Sequence, residues 1–152
     1  MRRMDKAMDE KAALELLKRC EFGVLSTVGE DGYPYGVPVN YALKDGAIYI
    51  HCATEGHKLD NIIYNSKVSF CAVGDTEVIS ENFSTKYESV IIFGNAGIVE
   101  DYNEKREALL EIIYKYSPDF IESGKKYIEN DCHRAKIIKI EIEHITGKKA
   151  IE

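Results

Sequence analysis

A small antiparallel β-barrel with helices packed on its outside is the fold that the sequence predicts. Three early strand-like segments are joined by turns that are too short for an α/β crossover, so they should form an antiparallel meander. Six or seven strands and about four helices in 152 residues suit one domain with one core. We therefore expect residues 1–152 to form a single, mainly β domain.

The first part of the chain predicts one helix followed by three strands. Asp9 is a suitable N-cap, and apolar residues at helical spacing follow it as far as Cys20. Branched apolar residues then predict strands, separated by glycine-containing turns at 29–32 and 44–46. These strands span residues 22–28, 35–43 and 47–53.

The middle of the chain predicts a helix, two strands and a long loop. The loop is the polar stretch at 74–89, which has no clear period. Gly94 and Gly97 lie within the second strand and indicate a bulge or a close approach of two backbones. The helix is predicted at 55–65 and the strands at 67–73 and 89–100.

The last part predicts two helices and a final strand. Ser117 and Pro118 suit the N-cap and first position of the second helix. Alternation of apolar and charged residues at 135–145 predicts a strand with one solvent-facing side. The helices are predicted at 103–116 and 119–129.

Composition excludes several functional classes. The net charge of −6 argues against a nucleic-acid surface. No segment approaches the roughly eighteen apolar residues of a membrane span. Arg2 and Arg3 are followed by interspersed charges rather than by the apolar core of a signal peptide. We therefore expect a cytoplasmic protein.

The cysteines do not indicate a metal site. Cys20, Cys52, Cys71 and Cys132 are far apart in sequence and form no C-x-x-C pair. Neighbouring strand residues such as His51 and Cys52 point to opposite faces and would not bind one ion. We expect free thiols and no metal, and the strand pattern favours a place in the core for Cys52.

Polar chemistry is concentrated where a predicted strand meets a predicted helix, in the segment IYIHCATEGHKLDN at 48–61. Backbone N–H groups at a helix amino end have no intrahelical partner and carry partial positive charge. Gly56 permits close approach of a ligand, and Lys58 adds a full positive charge. Together with His57 they predict an anion site that fits a phosphate, although many solvated helix starts have similar residues.

At this junction the sequence resembles the flavin-binding split β-barrel superfamily, which is related to pyridoxamine 5′-phosphate oxidase. The resemblance is strongest to its Nim-type branch of nitroimidazole-resistance proteins, and extends over residues 16–150. It is carried by GVLSTVGEDGYPYGVPVNYALKDGAIYIHCATEGHKLDNIIYNSKVSFCAV at 23–73 and by YESVIIFGNAGIVED at 87–101.

The resemblance implies a homodimer that binds FMN in clefts between its subunits. Strand residues would lie along the flavin ring, the end of the next strand would follow the ribityl chain, and the helix start would hold the phosphate. The residues implied for the ring are Gly36, Val37, Pro38, Val39 and Asn40. Those for the ribityl chain are His51, Cys52 and Ala53, and those for the phosphate are Gly56, His57 and Lys58. Tyr87 and Ser89 would reach across the cleft from the partner.

One departure from the family pattern argues against pyridoxamine phosphate oxidation. True oxidases carry an Arg-x-x-x-x-Lys strand motif, and here Tyr35 and Asn40 stand at the positions of its two cations. They also end in a basic Arg-Pro segment, whereas this chain ends in GKKAIE.

Two functions from different classes therefore remain. The first is an FMN-dependent reductase of small electron-poor acceptors such as nitroaromatics or quinones, in which His51 is the catalytic titratable group. The second is a flavin-binding carrier or sensor without turnover. A weaker third is a haem-binding split barrel with His51 or His144 as axial ligand. Because the sequence has no G-x-G-x-x-G fingerprint, a nicotinamide donor would have to dock on the flavin itself.

Overall fold

The computed structural model describes residues 1–151, which form one sheet with four α-helices against it. The helices are α1 Glu10–Arg19, α2 His57–Tyr64, α3 Tyr102–Tyr116 and α4 Ile121–Asp131. The strands are β1 Ala7–Met8, β2 Gly23–Val28, β3 Pro34–Val39, β4 Ala42–Lys44, β5 Ala47–Cys52, β6 Lys67–Val73, β7 Glu77–Ile79, β8 Ser84–Ile98 and β9 Lys136–Ala150.

The sheet is antiparallel throughout and curls into a barrel that does not close. Its strand order is β3-β2-β6-β8-β9-β5-β4, with β1 added to β9 and β7 added to β8. Strands β3 and β4 end this path, and each is hydrogen-bonded to one neighbour. The predicted mainly β, antiparallel split barrel is therefore confirmed, and the split lies between β3 and β4.

The core lies inside the curled sheet and is closed by α1. Leu16 and Leu17 of α1 are fully buried there, and the rings of Tyr41 and Phe70 meet edge to face with centroids 4.8 Å apart. A second, smaller apolar cluster joins β5 and β9 to α3 and includes Tyr49 and Ala108. Strand β5 is thus covered on both faces.

Several local predictions are confirmed by their contacts. The Asp9 carboxylate caps α1 by accepting a hydrogen bond from the Ala12 N–H at 2.7 Å. The register between β8 and β9 shifts at Phe93 and Gly94, where the extra residue is Glu143 of β9, and β8 meets it with the close backbone approach predicted at Gly94. A Cβ at Gly94 would come within 2.3 Å of the Glu141 carbonyl oxygen, so this position requires glycine.

Three element predictions were wrong. The predicted strand 35–43 is interrupted after Val39, and β4 starts at Ala42. The stretch 74–89 is not a loop, because it contains β7, a 3-10 turn and the start of β8. The final strand continues to Ala150, where it pairs with Tyr87 of β8. Strands β4 and β7 have three residues each and pair with the next strand along the chain, whereas the last residues of β9 pair with β8, far away in sequence. In each case strand pairing decides bounds that a local hydrophobic pattern does not report.

Membrane-spanning helices are not found in the described part of the chain. No helix within residues 1–151 is both long and apolar enough to cross a bilayer.

Candidate functional site

The start of α2 is open in the way that an anion site requires. Gly56 is its N-cap with φ of 153°, a conformation that side chains rarely adopt, and no atom lies within 4 Å of where its Cβ would be. Among residues 1–151, no side chain accepts a hydrogen bond from this end of the helix. The first N–H groups of α2 are therefore left for a ligand, with the positive end of the helix dipole behind them.

An aromatic stack joins this helix start to the edge strand β3. The rings of Tyr35 and His57 are nearly parallel, with their centroids 4.3 Å apart and an angle of 10° between their planes. The stack brings together two segments implied for the flavin, the ring strand that begins at Gly36 and the phosphate group of residues at Gly56. Both lie on the side of the molecule where the barrel is split.

Strand β3 presents alternating faces. Gly36 and Pro38 are exposed, whereas Val37 and Val39 are half-buried and pack against the main core. Asn40 follows the last residue of the strand and is exposed. A flat ligand therefore meets one open face and one free edge here, because β3 hydrogen-bonds only to β2.

The end of β5 places His51 and Cys52 on opposite faces, as predicted. The Cys52 side chain lies in the core and donates a hydrogen bond to the Lys136 carbonyl, with Sγ and O 3.6 Å apart. Burial raises the pKa of the Cys52 thiol, which therefore stays protonated. Ala53 follows directly and is exposed.

His51 faces the helices. It lines a cleft of about 260 Å³ together with Tyr127, Asp131 and Arg134 from the region of α4. Partial burial, and then the positive charge of Lys58, lower the pKa of His51. An imidazole held in this way is neutral at neutral pH and can accept a proton. The same lysine also favours the thiolate of Cys52, so Lys58 acts on both residues at the end of β5.

An acidic cleft adjoins the helix start, and sequence reasoning missed it. The cleft has a volume of about 880 Å³ and contains Gly56 and His57. Four carboxylates line it, two from the turn before β3 and two from around the start of α2: Glu30, Asp31, Glu55 and Asp60. These charges repel an anion, so they oppose the binding of a phosphate in the part of the cleft that Gly56 and His57 line. The sequence does show two adjacent acidic residues, Glu30 and Asp31, but their position indicates only a turn.

No group of three or more His, Cys, Asp or Glu side chains within residues 1–151 is arranged to hold an ion.

Comparison with known proteins adds an independent observation. Residues 9–149 match the protein family described as pyridoxamine 5′-phosphate oxidase. The chain belongs to this family. A search of curated proteins finds no match.

Solved structures with the same fold include several that bind redox cofactors. A candidate 5-nitroimidazole antibiotic resistance protein of Bacteroides thetaiotaomicron is 23% identical, with a TM-score of 0.81 over 94% of this chain and 86% of that one. The flavocytochrome Anf3 of Azotobacter vinelandii is 16% identical, with a TM-score of 0.83 over 100% and 72%. An FAD-binding protein of Mesorhizobium loti is 20% identical, with a TM-score of 0.66 over 95% and 97%. At these identities the likeness shows the fold.

Within this pyridoxamine 5′-phosphate oxidase family member, Tyr87 and Ser89 are half-buried residues of β8. They form one row of that strand with Ile91 and Phe93, which are both exposed and alternate with the buried Val90 and Ile92. The outer face of β8 is therefore the surface on which the two residues implied to reach a partner are found.

Proposed function

We propose that this protein binds FMN, in a cleft completed by a second copy, and reduces small electron-poor acceptors such as nitroaromatics or quinones. The observation that carries the proposal is the open, uncapped start of α2 at Gly56, next to Lys58 and to the end of β5. Membership of a family related to a flavin enzyme, together with flavin-binding proteins of the same fold, supports it.

The residues at this start fit one phosphate. The open space over Gly56 allows an oxygen to approach the backbone, the first N–H groups of α2 can donate to it, and Lys58 supplies the balancing charge. A second phosphate would add negative charge next to the four carboxylates of the acidic cleft that Gly56 and His57 also line. We therefore favour FMN over FAD, whose pyrophosphate needs a longer cradle.

A second copy would complete the cleft. The outer sheet face presents an apolar patch on neighbouring strands, made of Val24, Pro38, Cys71, Val73, Ile91 and Phe93. Phe93 is also stacked on His144, with ring centroids 6.2 Å apart. Such a patch is typical of protein interfaces, and a two-fold pairing would bury it on both copies. The same pairing would bring Tyr87 and Ser89 toward the partner.

The bound flavin would supply the electron transfer, and the chain would supply position and protons. His51 is neutral because burial and Lys58 lower its pKa, so it can take up or return a proton near the ribityl side of the site. A non-catalytic carrier would use the same phosphate contacts without needing this imidazole. The nitroimidazole-resistance neighbour favours a small nitroaromatic acceptor over a carrier.

Identification of the bound cofactor tests this proposal. The protein as purified should show flavin absorption bands, and FMN should be released on denaturation and identified by chromatography. Release of FAD would contradict the single-phosphate site. A Soret band without flavin would favour the haem alternative, which has support from flavocytochrome and haem-binding proteins of the same fold.

A further inference from the structure

A short two-stranded arm projects from the sheet. It consists of β7, the 3-10 turn Ser80–Asn82, Phe83 and the first residues of β8 as far as Lys86. Strand β7 pairs only with this part of β8, from Glu77 opposite Lys86 to Ile79 opposite Ser84. An isolated two-stranded ribbon is marginally stable in water, so a further packing contact would stabilise this arm.

The tip of the arm is apolar and conformationally strained. Phe83 is 97% exposed and has φ of 51° and ψ of 39°, in the left-handed region. For a bulky side chain this conformation is unusual and costs about 1–3 kcal/mol. Val78, on the neighbouring strand of the arm, is 74% exposed. In a single copy of the chain, the Phe83 ring is therefore exposed to water and its backbone conformation is unfavourable in free energy.

Strand β8 connects this tip to the surface that we assign to the second copy. It runs without a break from Ser84 to Ile98, so the arm extends the strand that carries Tyr87 and Ile91. Val78 pairs with Thr85, which falls in the same outer row as Tyr87. Phe83 lies four residues beyond Tyr87, or roughly 13 Å at the usual rise of a strand.

We propose that the arm of each copy packs across the second copy, where Phe83 covers the rim of the flavin cleft beside Tyr87. This inference rests on the proposed dimer, in which the arm of one copy would form part of the flavin cleft of the other. The occupant is a second copy because the arm continues the same outer strand row, and a two-fold axis would exchange both arms equally. Burial of the Phe83 ring against a partner would remove apolar surface from water, and this gain in free energy would offset the cost of the left-handed backbone conformation.

A tryptophan reporter can test the arm without any flavin. The sequence contains no tryptophan, so Phe83→Trp gives one indole, and Phe120→Trp, at an exposed aromatic in the connection between α3 and α4, is the matched control. In a dilution series of flavin-free protein, emission of Phe83→Trp should shift to the blue and become protected from acrylamide as the dimer forms. Emission of the control should stay that of a solvated indole.

The complementary variant removes the ring and relaxes the strain. Phe83→Gly should keep the fold, by circular dichroism, while it weakens dimerisation by about tenfold or more in sedimentation, as loss of an interface anchor does. Phe120→Gly should leave dimerisation unchanged.

Three outcomes would overturn the proposal. They are a dimer in which the indole of Phe83→Trp stays solvated, a Phe83→Gly variant that dimerises like wild type, and a chain that stays monomeric with and without FMN. The first two leave the proposed flavin function intact, whereas the third removes the shared cleft as well. Conversely, protection of the indole in a protein that binds no flavin would support the arm and contradict the flavin proposal.

Discussion

The side chains of Tyr35 and His57 join β3 to the start of α2. The resemblance implies a cation at position 35 in true oxidases, and here the Tyr35 ring stacks on the ring of His57 with centroids 4.3 Å apart. The stack therefore links two segments implied for the flavin through aromatic contact rather than through a charged side chain. Lys58, which directly follows His57, is the cation implied for the phosphate.

Loss of the Lys58 ammonium should therefore weaken the binding of FMN selectively. Lys58→Ala should raise the free energy of FMN binding by about 1.5–3 kcal/mol, the range for a hydrogen bond to a charged group, and leave riboflavin binding nearly unchanged. Isothermal titration with both ligands measures this, with the exposed Lys11→Ala as control. Equal losses for FMN and riboflavin would mean that Lys58 supports the fold rather than the phosphate.

His51 separates the reductase from the carrier. His51→Ala should lower nitroaromatic or quinone turnover by about tenfold or more at saturating FMN, because a positioned proton-transfer group is lost. Since burial and Lys58 lower the pKa of His51, wild-type turnover should fall only as the pH drops below about 6.5, and the variant should lose this dependence. His133→Ala is the control. Wild-type protein that binds flavin tightly but turns over no faster than free FMN would favour the carrier.

At the scale of elements, α3 fixes the connection between β3 and β4. The Lys115 ammonium donates to the Tyr41 carbonyl at 3.0 Å and lies 3.8 Å from the centre of the Tyr41 ring. The Tyr41 N–H donates to the Tyr116 hydroxyl, also at 3.0 Å. These contacts hold the chain directly after Asn40, which ends the predicted ring-binding segment. Helix α3 thereby acts on the site from outside the barrel.

Burial of this lysine makes stability depend on pH. It lowers the pKa of Lys115 to about 8, so the unfolded chain binds more protons than the folded one between pH 8 and the ordinary lysine value near 10.5. The cost of the buried charge is complete below pH 8 and disappears as the pH rises through this window. Wild type should therefore gain stability relative to Lys115→Met between pH 8 and 10, measured by urea unfolding. A constant difference would show that the ammonium is fully solvated.

The elements that the sequence predicted well are those with a local signal. The Asp9 cap, the stripe of α1 and the close backbone approach at Gly94 follow from neighbouring residues and are confirmed. The polar stretch 74–89 contains two strand segments that the sequence did not predict. Strand β7 pairs with the nearby start of β8, whereas residues 87–89 pair with the end of β9, about sixty residues away in the chain. The Tyr35–His57 stack was missed for the same reason, since no local pattern connects two rings across a strand and a helix.

At the scale of the whole molecule, the family resemblance predicted features of the barrel that the periodicity of the sequence does not indicate. Short turns predicted a barrel, but its split and the grouping of β3 with the start of α2 came from the resemblance, and the fold confirms the split. Gly56 was predicted from chemistry alone as a point of close approach, and its positive φ and empty surroundings agree. The roles of the individual flavin residues and of the second copy stay predictions.

A charge on the outer face of β8 should separate the two copies and release the cofactor together. Ile91 and Tyr114 are both 43% exposed, but Ile91 lies on the proposed interface and Tyr114 on α3, so Ile91→Glu and Tyr114→Glu are matched variants. In the proposed shared cleft FMN prefers the dimer, so by linkage it should strengthen dimerisation, and a variant that weakens the dimer should weaken FMN binding. In ultracentrifugation over a dilution series, FMN should shift wild type and Tyr114→Glu toward dimer at lower protein concentration, whereas Ile91→Glu should stay monomeric and lose flavin. A folded Ile91→Glu monomer that retains stoichiometric FMN would place the whole site within one chain and remove Tyr87 and Ser89 from it.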